Sequence, residues 1–266
     1  MSKKRDVFNN LDKFSFLKED IPGSLIFTDI DGTISSIAKT PGGAYVGKSI
    51  REALELVNAL FRVAVVSGRP LDEAKEMVGL EDLTYLANHG LDSLIDGKVT
   101  IKESKADRGV IEDAIATLKT SGALEDGMTF EDKGLSLAIH YRLTNDNARS
   151  ETMLKDLLSP LAKKHNMTLL MGRMVIELKS KKSNKGEAVL TTIERFGSRN
   201  AIYIGDDTTD VDAFKVIAGL RDRNLIKGFS IGVLSDETHE EVINESDFFL
   251  RSVDGVESFL RWLSLV

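Results

Sequence analysis

Short apolar runs alternate with segments of helical periodicity through the first part of the chain. Leu25–Asp29, Val63–Val66 and Leu83–Ala87 are short and largely apolar, as buried strands are. Between them, Lys48–Leu60 and Leu71–Val78 repeat apolar residues every three or four positions, as amphipathic helices do. Strands that alternate with helices of this length predict an α/β fold with a doubly wound parallel sheet.

The pattern changes in the middle of the chain. Asp92–Lys102 is typical of a hairpin that turns at Asp96-Gly97. From about Asp107 onward, a helix is followed by two strands, and this order then repeats. The segments are Val110–Lys119 (helix), Met128–Glu131 and Leu135–Tyr141 (strands), Arg149–Lys164 (helix), and Met167–Leu170 and Met174–Leu178 (strands that turn at Gly172). The α-β-β-α-β-β order predicts a small α+β unit at residues 106–181, inserted between core residues 1–105 and 182–266.

The core pattern resumes at Asn184. This residue is a good helix N-cap, and Glu187 follows three positions later as in a capping box, which places Lys185 in the first turn. The remaining elements are a strand at Ala201–Ile204, a helix from Asp210, strands near Phe229–Ile231 and Phe248–Leu250, and a closing helix at Val256–Leu263.

Composition restricts the classes of protein to consider. The chain has 266 residues, of which 42% are hydrophobic and 29% charged, as in globular proteins. Its net charge of −7 argues against nucleic acid as the main partner. No apolar run is long enough to span a membrane, and the first residues lack the apolar stretch of a signal peptide. With no cysteine, disulfides are excluded, and we expect a cytoplasmic monomer.

Two acidic clusters each follow an apolar run that resembles a buried strand. The first is Asp29-Ile30-Asp31-Gly32-Thr33, and the second is Gly205-Asp206-Asp207-Thr208-Thr209-Asp210. The ends of parallel strands meet at one edge of a sheet, where grouped carboxylates repel one another unless a cation neutralises them. Neither window has the Gly and Glu that an EF-hand calcium loop needs, whereas Mg²⁺ accepts a few carboxylates together with water and phosphate oxygens. In an acidic protein, Arg69, Lys185 and a bound metal are the candidates to attract phosphate.

These motifs resemble those of the haloacid-dehalogenase (HAD) phosphatase superfamily, in the same order. The matching residues are Asp29-Ile30-Asp31-Gly32-Thr33, Ser67-Gly68-Arg69, Lys185 and Gly205-Asp206-Asp207. Further segments are similar to the trehalose-6-phosphate phosphatase family. They are Asn88-His89-Gly90, Glu131-Asp132-Lys133-Gly134-Leu135-Ser136-Leu137, His140-Tyr141-Arg142, Glu177-Leu178, Asn184-Lys185-Gly186 and the stretch from Gly205 to Phe214. Departures from the family pattern are Ser36 in place of Pro, Lys179-Ser180 in place of Arg-Pro, and Val211 in place of Glu.

The resemblance implies a HAD-like core with a cap domain and an aspartyl-phosphate mechanism that uses Mg²⁺. Asp29 would be the nucleophile, and Asp31 would protonate the leaving oxygen and then deprotonate water. The metal would be held by Asp29, Asp206 and the backbone carbonyl of Asp31. Asp207 and Asp210 would orient these ligands and water.

Other core residues would hold the substrate phosphate. Ser67 and Lys185 are implied as catalytic residues that contact the phosphoryl group or steady the nucleophile. The implied substrate contacts in the core are Gly32, Thr33, Gly68, Arg69, Asn88 and His89. By composition alone, Ser-Gly-Arg is typical of an ordinary turn, and it is the order of the motifs that favours function.

In the inserted unit, the family pattern places sugar contacts at Glu131, Lys133, Arg142 and Glu177. Without the resemblance, Glu131 and Lys133 beside a tight turn would be read as solvated charges. A neutral sugar requires fixed donors and acceptors for its hydroxyl groups rather than net charge.

The resemblance therefore implies a phosphatase of trehalose biosynthesis that hydrolyses trehalose 6-phosphate. The alternatives are a phosphatase for a mannosyl- or sucrose-phosphate ester, a phosphohexomutase, and a non-catalytic sugar-phosphate sensor. The cap residues distinguish a trehalose 6-phosphate phosphatase from a phosphatase for another sugar phosphate. Release of free phosphate without a sugar bisphosphate distinguishes it from a phosphohexomutase. Intact Asp29, Asp31, Lys185 and Asp206 argue against the sensor.

Overall fold

The computed structural model of the chain describes residues 5–36, 44–101, 105–172, 174–236 and 238–265, with no side chains for residues 105–107. Lys102, at the end of the predicted hairpin, lies outside these ranges. The chain divides into two compact units. Unit 1 comprises Met1–Thr100 and Asn184–Val266, and unit 2 comprises Ile101–Ser183.

The elements follow one another along the chain as strands and helices. The strands are β1 (Ser24–Thr28), β2 (Arg62–Val66), β3 (Thr84–Ala87), β4 (Asp92–Ile95), β5 (Lys98–Ile101), β6 (Thr129–Asp132), β7 (Ser136–His140), β8 (Met167–Gly172), β9 (Val175–Ser180), β10 (Asn200–Gly205), β11 (Lys227–Leu234) and β12 (Phe248–Arg251). The α-helices are α1 (Ser15–Glu19), α2 (Lys48–Asn58), α3 (Leu71–Val78), α4 (Lys105–Thr120), α5 (Asn147–Lys164), α6 (Lys185–Phe196), α7 (Val211–Asp222), α8 (Glu240–Glu245) and α9 (Ser252–Ser264).

Unit 1 is built on a sheet with strand order β12-β11-β10-β1-β2-β3-β4-β5. The pairs from β12 to β3 are parallel, and β3 pairs with β4 in the antiparallel sense. Alternate residues of β1 pack on opposite faces: Ile26 joins one apolar cluster, and Leu25 and Phe27 join the other. Apolar clusters cover both faces of the sheet, which confirms the predicted doubly wound core.

Unit 2 is a four-stranded antiparallel sheet, in the order β6-β7-β9-β8. One face carries Leu137, Ile139 and Ile176, which share an apolar cluster with Leu154 and Leu158 of α5. The helix-strand-strand order occurs twice, as α4-β6-β7 and α5-β8-β9, which confirms the α+β fold predicted for the insertion. The strand β8 runs to Gly172, so this glycine belongs to the strand and not to the turn predicted there.

Most predicted elements differ from the observed ones only at their ends. β11 is longer than the Phe229–Ile231 pattern because Gly228 and Gly232 interrupt its apolar run without ending the strand. The short helices α1 and α8 carry too few turns to produce a periodic signal. Among the described residues, we find no helix long and apolar enough to cross a membrane.

Candidate active site

The acidic residues of unit 1 lie where its central strands end. Thr28, the last residue of β1, is paired with Ile204 of β10 on one side and Val65 of β2 on the other. The Asp29 amide continues the ladder by donating to the Ile204 carbonyl oxygen at 2.9 Å. The sheet register therefore brings the two acidic motifs, distant in sequence, to one edge.

A buried lysine joins two of these carboxylates. Lys185 Nζ lies 3.0 Å from Asp29 Oδ1 and donates to Asp210 Oδ1 at 2.8 Å. All three residues are buried. Asn184 caps α6 by accepting from the Glu187 amide, which confirms that Lys185 occupies the first turn. The helix start thus aims the ammonium group at the end of β1.

Burial dominates the protonation of this cluster. It raises the pKa of Asp29 to about 8, and the Coulombic attraction of Lys185 only partly opposes that rise. For Lys185, burial acts to lower the pKa, but the carboxylates of Asp210 and Asp29 more than offset it and hold the pKa above its ordinary value. The lysine therefore stays charged, and a further cation beside Asp29 would favour its ionised form.

Asp210 is held by four donors. Besides Lys185, its carboxylate accepts from the Tyr203 hydroxyl at 2.6 Å, and from the amides of Asp206 and Asp207 at 2.9 and 3.0 Å. Burial, and then the nearby Asp210, raise the pKa of Tyr203 well above its ordinary value, so the phenol keeps its proton and donates. Sequence reasoning missed Tyr203 because an aromatic residue in an apolar run is typical of core packing.

Replacing Tyr203 with Phe should therefore reduce both stability and activity. Asp210 would lose one buried donor, at a cost of about 1–3 kcal/mol in the free energy of unfolding. A displaced Asp210 would also misplace Lys185, and we expect the turnover of the phosphatase reaction that the sequence resemblance implies to fall by about 10-fold. Tyr85→Phe is the control, since Tyr85 is also a buried residue and its hydroxyl donates at 2.6 Å to the Leu80 carbonyl instead. Chemical denaturation and steady-state kinetics should show both losses for Tyr203 but only the stability loss for Tyr85.

The turn after β1 packs tightly against the second acidic motif. Gly32 has φ of +79°, and a Cβ at this position would lie 2.0 Å from Asp206 Oδ2. Only glycine adopts this positive φ without strain and also has no Cβ to clash with Asp206. The next residue, Thr33, is fully buried, and its Oγ1 makes no hydrogen bond with any residue that the structure describes. A buried hydroxyl without a partner is costly, so Thr33 is suited to a ligand oxygen.

The loop after β2 interlocks with the loop after β3. The amide of His89 donates to the Ser67 carbonyl oxygen at 2.9 Å, and Asn88 N donates to the Arg69 carbonyl at the same distance. A Cβ on Gly68 would lie 2.6 Å from His89 Nε2. Asn88 and His89 both adopt left-handed conformations, with φ of 48° and 53°, although neither is glycine. Such strain is characteristic of functional loops.

The Asp31 carboxylate binds an arginine. Arg69 Nε and Nη2 donate to the two Asp31 carboxylate oxygens at 2.7 Å each. Arg69 Nη1 donates to Glu73 in the first turn of α3. The observed guanidinium partners are therefore carboxylates, and the predicted phosphate contact of Arg69 remains a prediction.

The donor set at the strand ends fits a hard divalent cation. Carboxylate oxygens of Asp29, Asp206 and Asp210 lie within 4.8 Å of one another, and all three residues are buried. Asp210 is already held by the four donors described above, so Asp29 and Asp206 are the candidate side-chain ligands. Two carboxylates form the incomplete oxygen shell that Mg²⁺ uses together with water and phosphate. Asp207 accepts from the Thr208 amide at 2.7 Å, and the orienting role of Asp207 stays a prediction.

Unit 2 collects polar residues on the sheet face opposite its helices. The register pairs Glu131 with Ala138 and Ala138 with Glu177, so the two acids lie on one face, on either side of a small residue. Glu177 Oε1 accepts from Ser136 Oγ at 2.5 Å and lies 3.7 Å from Lys133 Nζ. Glu131 Oε2 lies 3.7 Å from His140 Nε2. We call this surface, formed by Glu131, Lys133, Ser136, His140 and Glu177, the polar face.

The structure thus groups the predicted residues into two sets. Asp29, Thr33, Lys185, Asp206 and Asp210 come together in unit 1, and three of the four predicted sugar contacts lie on the polar face of unit 2. Arg142 follows β7 in a turn. Ser136 and His140 were not among the predicted contacts, although their period-two spacing from Ala138 could have indicated them.

Comparison with known proteins identifies the family of the chain. The sequence model of a family described as trehalose-phosphatase matches residues 27–254. A probable trehalose-phosphate phosphatase D of Arabidopsis thaliana is 32% identical over 90% of the chain, and the chain spans 66% of that relative, just under two thirds.

Two solved structures share the fold. The C-terminal domain of a trehalose-6-phosphate phosphatase of C. albicans superposes with a TM-score of 0.83 at 21% identity and covers 98% of both chains. A haloacid dehalogenase-like hydrolase of Bacteroides thetaiotaomicron gives a TM-score of 0.65 at 15% identity, over 90% of this chain and 99% of its own. These likenesses confirm the fold that the sequence predicts.

Proposed function

The chain belongs to the trehalose-phosphatase family, and from this premise we propose that it hydrolyses trehalose 6-phosphate to trehalose and phosphate. The observation that carries the proposal is the buried Asp29–Lys185–Asp210 cluster beside Asp206, at the carboxyl edge of a parallel sheet. It combines a nucleophilic carboxylate, a fixed positive charge and the oxygen ligands of a metal.

In the first half of the reaction, an Asp29 carboxylate oxygen attacks phosphorus, and the bond from phosphorus to the sugar oxygen breaks. Asp31 gives its proton to that oxygen, so trehalose leaves with a neutral hydroxyl. The phosphoryl group stays on Asp29 as an acyl phosphate. Lys185, 3.0 Å from Asp29, offsets the negative charge.

In the second half, Asp31 takes a proton from water while the water oxygen attacks phosphorus. The bond between phosphorus and Asp29 breaks, which releases inorganic phosphate and restores the carboxylate. The Thr33 hydroxyl, Ser67 and the backbone at Gly32 and Gly68 hold the phosphoryl oxygens throughout. Asn88 and His89, in the loop after β3, are also proposed to contact the substrate.

The metal site is proposed to use Asp29, Asp206 and the backbone carbonyl of Asp31, with Mg²⁺ as the ion. When bound, the ion would supply positive charge to the phosphoryl oxygens and favour ionised Asp29. Asp210, held by Lys185 and Tyr203, keeps the amides of Asp206 and Asp207 in place.

Recognition of the sugar is proposed to belong to unit 2, which would act as the cap domain. Glu131, Lys133 and Glu177 present donors and acceptors on the polar face, and Arg142 follows on the same hairpin. The hydrogen bond and ion pair made by Glu177 fix its carboxylate in one position. Fixed polar groups discriminate between sugars better than mobile ones, because a mismatched hydroxyl leaves them unpaired.

Phosphate release from a panel of sugar phosphates tests the proposed function. We expect the highest kcat/KM with trehalose 6-phosphate, without any sugar bisphosphate activator. A preference for a sucrose- or mannosyl-phosphate ester would identify the related phosphatase. A requirement for a bisphosphate would indicate a mutase, and binding without any phosphate release would indicate a sensor.

Truncating the polar face should separate substrates by their sugars. Glu131→Ala and Glu177→Ala should each lower kcat/KM for trehalose 6-phosphate by about 10-fold or more, because sugar hydroxyls lose charged partners. The same variants should hydrolyse p-nitrophenyl phosphate at nearly the normal rate, since that ester has no sugar to bind.

Asp132→Ala provides the matched control. Asp132 lies on the same strand but on the opposite face, where it binds Arg108 with distances of 2.6 and 2.9 Å, and this contact lowers the pKa of its carboxyl. We expect this variant to leave both substrates unaffected. Equal losses on both substrates for Glu131→Ala or Glu177→Ala would instead mean that these residues support the fold.

A further inference from the structure

Arg69 is the charged side chain of unit 1 whose observed contacts differ most from the role predicted for it. Its guanidinium forms a bidentate pair with Asp31, with both N–O distances at 2.7 Å. A third nitrogen binds Glu73. A planar guanidinium matches a carboxylate in this geometry and fixes its orientation as well as its charge.

The two partners differ in how firmly they are held. The Arg69 side chain is 10% exposed, whereas the Asp31 side chain is 41% exposed. The Arg69 amide donates to Ser67 Oγ at 3.2 Å, and its carbonyl accepts from Asn88. The arginine is therefore anchored at its backbone and buried along its side chain, while much of Asp31 is open to solvent. In such a pair, the arginine is the fixed partner, and it sets the rotamer of the carboxylate.

We infer that Arg69 is a positioning residue that holds the Asp31 carboxylate in place for proton transfer, and that Glu73 in turn holds Arg69. The inference rests on the proposed function, in which Asp31 exchanges the proton. It replaces the direct phosphate contact that the sequence predicts for Arg69. Two carboxylates already offset the charge of this guanidinium, whereas the ammonium of Lys185 lies 3.0 Å from the proposed nucleophile, Asp29.

A double-mutant cycle between Arg69→Gln and Asp31→Asn tests the inference. Asp31→Asn alone should lower kcat by ~10²–10⁴-fold, the range for loss of general acid–base catalysis. Arg69→Gln should lower kcat by about 10-fold or more, because Asp31 is misplaced, and change the inhibition constant of inorganic phosphate by less than about 2-fold. If Arg69 acts through Asp31, the double variant should be no slower than Asp31→Asn.

Conservative variants separate geometry from charge. Arg69→Lys keeps the charge but cannot form the bidentate pair, so its kcat should remain close to that of Arg69→Gln. Glu73→Gln should reduce kcat in the same way but less. Lys75→Gln is the control: Lys75 lies on the same helix and pairs with Glu81 at 3.0 Å, so its loss should leave kcat unchanged. Thermal unfolding of each variant establishes that it is folded.

Several outcomes would overturn the inference. One is that the losses in kcat of Arg69→Gln and Asp31→Asn multiply in the double variant. Another is that Arg69→Gln weakens inhibition by phosphate both in the wild type and in Asp31→Asn, and the third is that Arg69→Lys restores the activity. Each would show that Arg69 acts on phosphate through its charge. Full activity in Asp31→Asn alone would overturn the proposed function instead, so the two failures are distinguishable.

Discussion

Replacing Asp29 with Asn should lower phosphate release by about 10⁴-fold or more, the scale on which loss of a covalent nucleophile acts. The amide keeps the size of the side chain, but its oxygen is a poor nucleophile. Lys185 retains Asp210 at 2.8 Å, so the buried ammonium is not left without a counter-ion. Phosphate release by the purified variant, with trehalose 6-phosphate as substrate, measures the effect.

The same variant should be at least as stable as the wild type. Burial raises the pKa of Asp29 to about 8, above its pKa in the unfolded chain. Ionisation of this carboxyl therefore opposes folding once the pH exceeds the pKa of the unfolded chain. With chelator present, we expect Asp29→Asn to gain stability relative to wild type at pH 7. The gain should shrink as the pH falls to the unfolded pKa of about 4 and disappear below it, where the carboxyl is protonated in both states.

A matched change elsewhere in unit 1 provides the control. Asp247 binds Arg221 at 2.6 Å and the Ser230 amide at 2.9 Å, and it lies outside the proposed site. Asp247→Asn should therefore leave turnover unchanged while lowering stability. Substantial phosphate release by folded Asp29→Asn would refute the aspartyl-phosphate mechanism.

Removing divalent metal should have the second-largest effect. Metal-ion catalysis supplies several kcal/mol of charge stabilisation, so chelation should lower turnover by about 10³-fold or more. Mg²⁺ should restore the activity after the chelator is dialysed away. Ca²⁺ should restore it poorly, because its larger and less rigid oxygen shell would misplace the phosphoryl group.

A binding measurement makes this prediction independent of turnover. A ligand that binds the folded state raises its unfolding temperature, so Mg²⁺ should raise that of the wild type. Asp206→Asn removes one proposed ligand and should reduce or abolish the increase. Full activity after exhaustive chelation would show that the carboxylates at the sheet edge serve another purpose.

The sequence predicts the backbone frame of the proposed site well. Apolar runs before Asp29 and Asp206 determine two buried strands, and parallel pairing then brings their ends together. The position of Lys185 also follows from local signals, since the Asn184 cap fixes where α6 begins. These inferences rest on periodicity and capping, which are encoded within a few consecutive residues.

Side-chain partners are less predictable, because they depend on rotamers and on residues from other elements. Tyr203 is indistinguishable from a core aromatic until its hydroxyl is found beside Asp210. Arg69 has the motif position of a phosphate ligand, but its long side chain reaches Asp31 and Glu73. The pKa of Asp29 likewise depends on how completely the fold buries it.

The register of the unit 2 sheet has a consequence for how this unit can evolve. Glu131, Ala138 and Glu177 share one face, and Leu137 and Ile139 share the other with the helices. Deleting one residue within β7 would exchange the faces of every residue beyond the deletion, placing apolar side chains among the acids and polar ones in the core. The substrate preference that we propose for the polar face can therefore change through point substitutions along these strands, whereas insertions and deletions should survive mainly in the turn around Gly134.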